Sequence, residues 1–340
     1  MSGRARAATI VDVARHADVA VGTVSRFLNG QFVRQAKRER IEEAIRVLSY
    51  SRNAVAQAMR TERTNMVAML VPGYDEFFSG VLGHTTQHLS NAGLVLLTHK
   101  HDGNAKVLAQ ALDYFLNHRV DAVIMPGSED VRPQIEAMIE RGIPIVFYNN
   151  DLPGVAADRV LVNARGASDT AASHLIDLGH RRIAAIAGLM AESSAVDRLE
   201  GYKDALRRHD IDVDPALIVG GTWRRQDGYA GMRALMALAE PPTAVLASNN
   251  VLASGALQYM REHDITAGTD LSIISFDDVE FLKLLVPPVS AIAQPIAAIG
   301  EYIAENILMR LEHGARDEPR TIYLDCNVIL RGTTRPPRQR

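Results

Sequence analysis

From residue 66 onward, short apolar runs alternate with amphipathic segments, and this alternation fixes the fold class of most of the chain. Strands are predicted over 66–71, 94–98, 122–125 and 145–148, interleaved with helices over 80–92, 105–118 and 132–141. Strands separated by helices in this way run parallel, with helices on both faces of the sheet. The rhythm then repeats, with helices over 164–178, 195–209, 227–238 and 250–263 and strands over 183–187, 217–220, 244–247 and 271–276. Two α/β lobes follow, each with its own sheet. A helix over 296–312 and strands over 321–324 and 328–330 remain. Ligands of such sheets sit beyond the carboxyl ends of the strands, here in the cleft between the lobes.

The first 50 residues follow another period. Ile10, Val13, Ala14 and Ala17 recur at helical spacing, and Val24, Phe27 and Leu28 do so after a break at 18–20. This predicts two short helices joined by a tight corner, with Ala14 and Ala17 small enough for a close crossing. A third amphipathic helix over 39–48 uses Ile41, Ala44, Ile45 and Leu48, and a short helical segment over 50–60 follows. The outward face of the second helix then carries Val21, Gly22, Thr23, Ser25, Arg26 and Asn29. Hydroxyls, an amide and one guanidinium suit a DNA major groove. Arg26 is expected to read bases, because only a guanidinium bonds both acceptors of a guanine edge, while Thr23, Ser25 and Asn29 hold phosphates.

Charge agrees with that division. Residues 1–63 carry a balance of +6 and the remainder −9, so a basic head on an acidic body fits nucleic acid at one end only. No apolar run approaches the length of a membrane span and no apolar segment follows the N-terminal arginines, so neither a membrane segment nor a signal peptide is expected. The cytoplasm is the expected compartment. Cys326 is the only cysteine, which excludes an intrachain disulfide and a cysteine metal cluster.

Enzyme signatures are missing from the sequence. It has no dinucleotide-binding glycine pattern, phosphate loop, nucleophile elbow or His-Glu-x-x-His. His99, His101 and Asp102 fall short of a metal set and are expected to rim the cleft. No cofactor is expected. Cleft candidates come from strand ends: Phe77 and Phe78, able to stack on a sugar face or simply pack in the core; Asn249; and Asp277, a carboxylate costly to bury without polar partners. Arg198 opens a helix whose buried stripe is Leu199, Tyr202 and Leu206, where it either binds a ligand or pairs with Asp197 or Glu200.

Ile10-x-Asp12-Val13-Ala14, Thr23-Val24-Ser25-Arg26-x-Leu28-Asn29 and Tyr50-x-x-Asn53-x-x-Ala56, with later motifs as far as Asp277-Asp278, together resemble the LacI/GalR family of bacterial transcription regulators. The resemblance covers nearly the whole chain. It implies a helix-turn-helix domain over 1–52, a hinge over 53–64 and an effector-binding, dimerising body over 65–333. One lobe of that body would span about 65–162 and 295–322, the other about 163–294 and 323–333. This is the two-lobed architecture of periplasmic sugar-binding proteins. It further implies double-stranded operator DNA, a homodimer and a sugar or sugar-acid effector held by Arg198, Asn249 and Asp277 under Trp223. Asn53 and Met59 would fold with the hinge on DNA, Met59 entering the minor groove. The sequence departs from the family at four places: Asp75-Glu76 replace Asn-Pro, Asn250 replaces Asp, Met59 replaces Leu, and Arg52 replaces Pro. A repressor that is not an enzyme is the expectation, with a periplasmic-type sugar-binding protein as the alternative.

Overall fold

The computed structural model describes residues 8–28, 30–50, 63–314 and 318–338. They belong to two compact units, Met1–Asn65 and Met66–Arg340. In the first, helices Ile10–His16, Val21–Leu28 and Gln35–Val47 enclose a core of Val13, Ala14, Ala17, Val24, Ile41 and Ala44. Thr9 starts the first helix through a reciprocal cap: its hydroxyl accepts from the Asp12 N–H, and the Asp12 carboxylate accepts from the Thr9 N–H at 2.9 Å. Asp18, at φ 50°, turns the chain out of that helix in the left-handed region that Asp tolerates better than most residues. The face predicted for the second helix loses one member, because Thr23 is only 7% exposed. Thr23 stands four residues before Phe27 and so shares the stripe turned to the core.

The second unit contains two six-stranded sheets. The first comprises β1 Met66–Val71, β2 Val95–Lys100, β3 Ala122–Met125, β4 Ile145–Tyr148, β5 Asp158–Val162 and β11 Thr321–Leu324, in the order β11-β5-β4-β3-β1-β2 and all parallel. The second comprises β6 Ile183–Ala187, β7 Ile218–Gly220, β8 Ala244–Ala247, β9 Ser272–Phe276, β10 Ser290–Ala293 and β12 Asn327–Ile329, in the order β12-β10-β9-β8-β6-β7. Only β12 runs antiparallel to its neighbour. Each sheet has apolar clusters on both faces, as a parallel sheet requires.

β5, β10 and the Glu280–Leu284 helix are absent from the sequence expectation. β5 opens on Asp-Arg, and β10 is Ser-Ala-Ile-Ala, so neither shows an unbroken apolar run. Tyr323 and Leu324 belong to the first sheet, which carries β11 past the lobe boundary expected after residue 322. The first body helix, Glu76–Asn91, starts four residues before the expected position. Asp75 caps it by accepting from the Phe78 N–H at 2.9 Å, and Phe77 and Phe78 are thereby wound into its first turn.

Two buried polar clusters at the amino ends of the strands are paired within the protein. Arg310 makes a two-pronged contact with Asp158, Nε to Oδ2 at 2.8 Å and Nη2 to Oδ1 at 2.7 Å. Asp158 also accepts from the Arg320 N–H, and Arg310 donates to the Glu318 carbonyl. In the second lobe His180 engages the Thr243 hydroxyl at 2.8 Å, the Ser272 hydroxyl at 3.1 Å and the Arg335 carbonyl at 2.9 Å, pinning the C-terminal strand-like tail to the sheet.

Candidate ligand cleft and nucleic-acid interface

The strand order reverses between β1 and β3 in one sheet and between β6 and β8 in the other, which opens a crevice at the carboxyl ends of both. A cavity of about 240 Å³ lies there. Phe77, Phe78, Arg198, Trp223, Asn249 and Asp277 all line it, so the structure brings the six predicted cleft residues together. Phe77 and Phe78 meet edge to face at 5.1 Å. Phe77 is 4% exposed and belongs to the core, as the packing reading of the pair has it, and both rings also line the cavity.

Arg198 is 5% exposed and donates from Nη1 to the Ser248 carbonyl at 2.5 Å. Its guanidinium lies 3.7 Å from the Phe276 ring centroid and 5.6 Å from that of Trp223. The expected alternative of an ion pair with Glu200 is not formed: Glu200 pairs with Lys203 and Arg207. Burial pulls the Arg198 pKa down, and Nε has no partner. Asn249 spends its side-chain oxygen on the Leu252 N–H at 2.8 Å, capping the Asn250–Glu262 helix and leaving its NH₂ for the cavity.

Asp277 sits at φ 71° and is 6% exposed. Its carboxylate was expected to need polar partners, and two amides supply them: Gln294 donates to Oδ1 at 2.6 Å and Asn250 to Oδ2 at 3.1 Å. The departure at Asn250 thus places a neutral donor against Asp277 where an Asp would be a second carboxylate.

Sequence reasoning passed over Glu192 and Asn150. Glu192 Oε2 accepts from Trp223 Nε1 at 2.9 Å within its own lobe and from Asn150 Nδ2 at 2.8 Å across the cleft. A second cross-cleft contact joins the Glu76 carboxylate to the Glu280 N–H at 2.8 Å. Gly188, immediately after β6, leaves room for the Trp223 ring, with which any Cβ there would collide, but no local pattern marks Glu192 or Asn150. Asp75 also faces the cavity, and burial pushes its pKa up, with the Asp277 charge adding to the effect. His99 and His101 lie at the end of β2 and do not line this cavity, which corrects their expected place at its rim. Each turns at least one buried, partnerless ring nitrogen inward instead.

On the head, Val21 is 41% exposed, Gly22 has open space around it, Ser25 is half-buried and Arg26 is exposed. Among the described residues no carboxylate pairs with Arg26, whose Nε reaches only the Gly22 carbonyl at 3.4 Å. Thr23, the first of the predicted phosphate contacts, is buried at the edge of this face. Asn29, Asn53 and Met59 lie outside the described residues.

Residues 9–53 match the description "Bacterial regulatory proteins, lacI family", and residues 172–334 match a periplasmic binding protein-like domain. The chain is 32% identical to the ribose operon repressor of Haemophilus influenzae over 95% of its own length and 98% of the relative's. It is 33% identical to the HTH-type transcriptional repressor CytR of Escherichia coli K12, covering 97% of both. Among solved structures it is similar to a CelR–cellobiose complex, with 28% identity, a TM-score of 0.73 and coverage of 96% of this chain and 99% of the other. Its fold is that of the lac repressor dimer bound to operator, with a TM-score of 0.85 at 24% identity and coverage of 97% and 100%. With near full-length identity above 30% to two repressors, the chain belongs to the lacI family of bacterial regulatory proteins.

Proposed function

We propose that this family member is a cytoplasmic, homodimeric transcriptional repressor and not an enzyme. Its body binds a sugar or related polyhydroxylated molecule and thereby sets the DNA affinity of its head. We assign residues 1–52 to the head, 53–64 to the hinge and 65–333 to the body. The observation that carries this reading is in the cleft: Ser194 Oγ, Arg198 Nε and Gln294 Oε1 are buried without partners and all three residues line one cavity. Buried polar atoms are costly to leave unpaired, and a ligand with several hydroxyls would satisfy them where an apolar one would not. Phe77, Phe78 and Trp223 supply flat faces for its C–H groups. Closure on the ligand shifts the DNA affinity by no more than the ligand's preference for one state over the other.

The relatives and the surface support a pair of chains. One solved neighbour is a dimer on its operator, and here Leu284 and Val286 are 74% and 97% exposed beside Phe281. Apolar side chains grouped in this way suit a self-complementary contact with a second copy. Two heads related by two-fold symmetry would read a near-palindromic operator.

A mobility-shift assay on the protein's own promoter region tests the DNA reading. Arg26→Ala should weaken the cognate site by roughly 1–3 kcal/mol while leaving random DNA nearly unchanged. Equal losses on both would refute base reading by Arg26. For the cleft, Asp277→Asn should keep operator binding and lose the response to sugar.

A further inference from the structure

The charges around the cleft bear on which chemical form of ligand it admits. Three carboxylates line the cavity, those of Asp75, Glu192 and Asp277, against the single guanidinium of Arg198. The protein does little to cancel them. Every hydrogen bond that Glu192 and Asp277 receive comes from a neutral donor, an indole, an amide side chain or a backbone N–H, and Asp75 is held by the backbone at Phe78. Among the described residues Arg198 forms no ion pair within 4.0 Å with any of the three, its polar contact being the Ser248 carbonyl. Its Nη1 is committed to the Ser248 carbonyl, and the Phe276 ring covers its face.

Such a site has acceptors to spare and a surplus of negative charge. Glu192 Oε1 takes no hydrogen bond from the described residues, and Gln294 Oε1 is a buried acceptor without a donor. A ligand that brings O–H or N–H groups satisfies these atoms. One that brings a carboxylate or phosphate adds a fourth anion to a partly desolvated pocket with one shared cation, where like charges repel strongly.

We infer that the cleft selects the uncharged or amine-bearing form of its polyhydroxylated ligand and rejects the matching acid or phosphate ester. This rests on the cleft being the effector site, and it narrows the sugar-or-sugar-acid expectation to its non-anionic side. Glu192 and Asp75 are the specificity-determining residues, because Asp277 is already held by two amides.

The test is a titration of the full-length protein with matched sets: glucose, glucosamine, glucuronate and glucose 6-phosphate; ribose, ribonate and ribose 5-phosphate; cytidine and cytidine monophosphate. Trp223, the only tryptophan, reports by fluorescence, and calorimetry runs in parallel. In any set whose neutral member binds, the anionic member should bind at least about a hundredfold more weakly, the size expected when like charges are forced together. Glu192→Gln and Asp75→Asn keep a hydrogen-bonding side chain, the latter a good helix cap, and each should narrow that gap by about tenfold. An acid or phosphate ester binding as tightly as its neutral partner overturns the charge inference alone. Binding seen by calorimetry that leaves Trp223 emission unchanged and survives Asp277→Asn overturns the cleft as the site, and the inference with it.

Discussion

The two ends of the strands treat buried polar groups in opposite ways. At the amino ends, Arg310 and Asp158 satisfy each other twice and draw in backbone groups besides, and His180 has partners on both ring nitrogens. At the carboxyl ends, Arg198 is as deeply buried as Arg310 yet keeps an unpaired Nε, next to an unpaired Ser194 hydroxyl and an unpaired Gln294 oxygen. Leaving such atoms without partners costs free energy, and three of the buried unpaired side-chain atoms among the described residues belong to residues that line one cavity.

The comparison breaks most severely at Arg310. Arg310→Met leaves the buried Asp158 carboxylate without its cation, held only by the Arg320 N–H, and should cost about 3–5 kcal/mol in a urea unfolding titration. Arg310→Met with Asp158→Leu should recover most of that loss. If the single variant unfolds at nearly the parental midpoint, the pair is not structural.

Acid sharpens the contrast between the two buried histidines. His101 has no partner on either nitrogen, and burial pulls its pKa down to about 4, with the neighbouring His99 adding to the effect. The unfolded ring therefore takes a proton that the folded ring refuses. Stability should be complete above pH 6.5 and fall as the pH drops toward 4, by about 3 kcal/mol at most. His180 is shifted in the same direction by burial and adds to the decline. His101→Leu should flatten the curve. A wild-type curve without a slope between pH 6.5 and 4 would show that His101 reaches solvent.

Arg198 should give the smallest stability effect. Arg198→Met gives up one bond to the Ser248 carbonyl but removes a buried charge, so the unfolding midpoint should move by no more than about 1 kcal/mol. Ligand binding should disappear. A loss of stability as large as that of Arg310→Met would erase the distinction between the two ends.

How much of this the sequence disclosed depends on whether a residue is placed by its neighbours in the chain or by distant ones. Ile183–Ala187, Ala122–Met125 and Ala244–Ala247 are apolar at every position because both of their faces are covered, and that pattern is visible directly. β5 escapes notice because its first residue, Asp158, is buried only by courtesy of Arg310, which stands 152 positions away. In the cleft, Trp223 and Asp277 were readable from their positions just past strands together with the family motifs. Glu192 was not, since only the fold brings Asn150 and Trp223 to the same oxygen. The burial of Thr23 was not legible, since a polar residue at the border between the exposed face and the stripe shared with Phe27 reads as exposed.

The lobes are joined by three short links, at Asn163, at Gln294–Pro295 and at Asp325–Cys326, between elements that belong to opposite sheets. Two of the links are tied together, Asn163 donating its N–H to the Leu324 carbonyl at 2.8 Å and its amide to the Asp325 carboxylate at 3.3 Å. Short segments at element ends are where a hinge takes up its change in backbone angle. Any closing of this cleft therefore bends the chain at these three links and leaves each sheet intact, and the tie between Asn163 and the Leu324–Asp325 segment makes two of the links turn together.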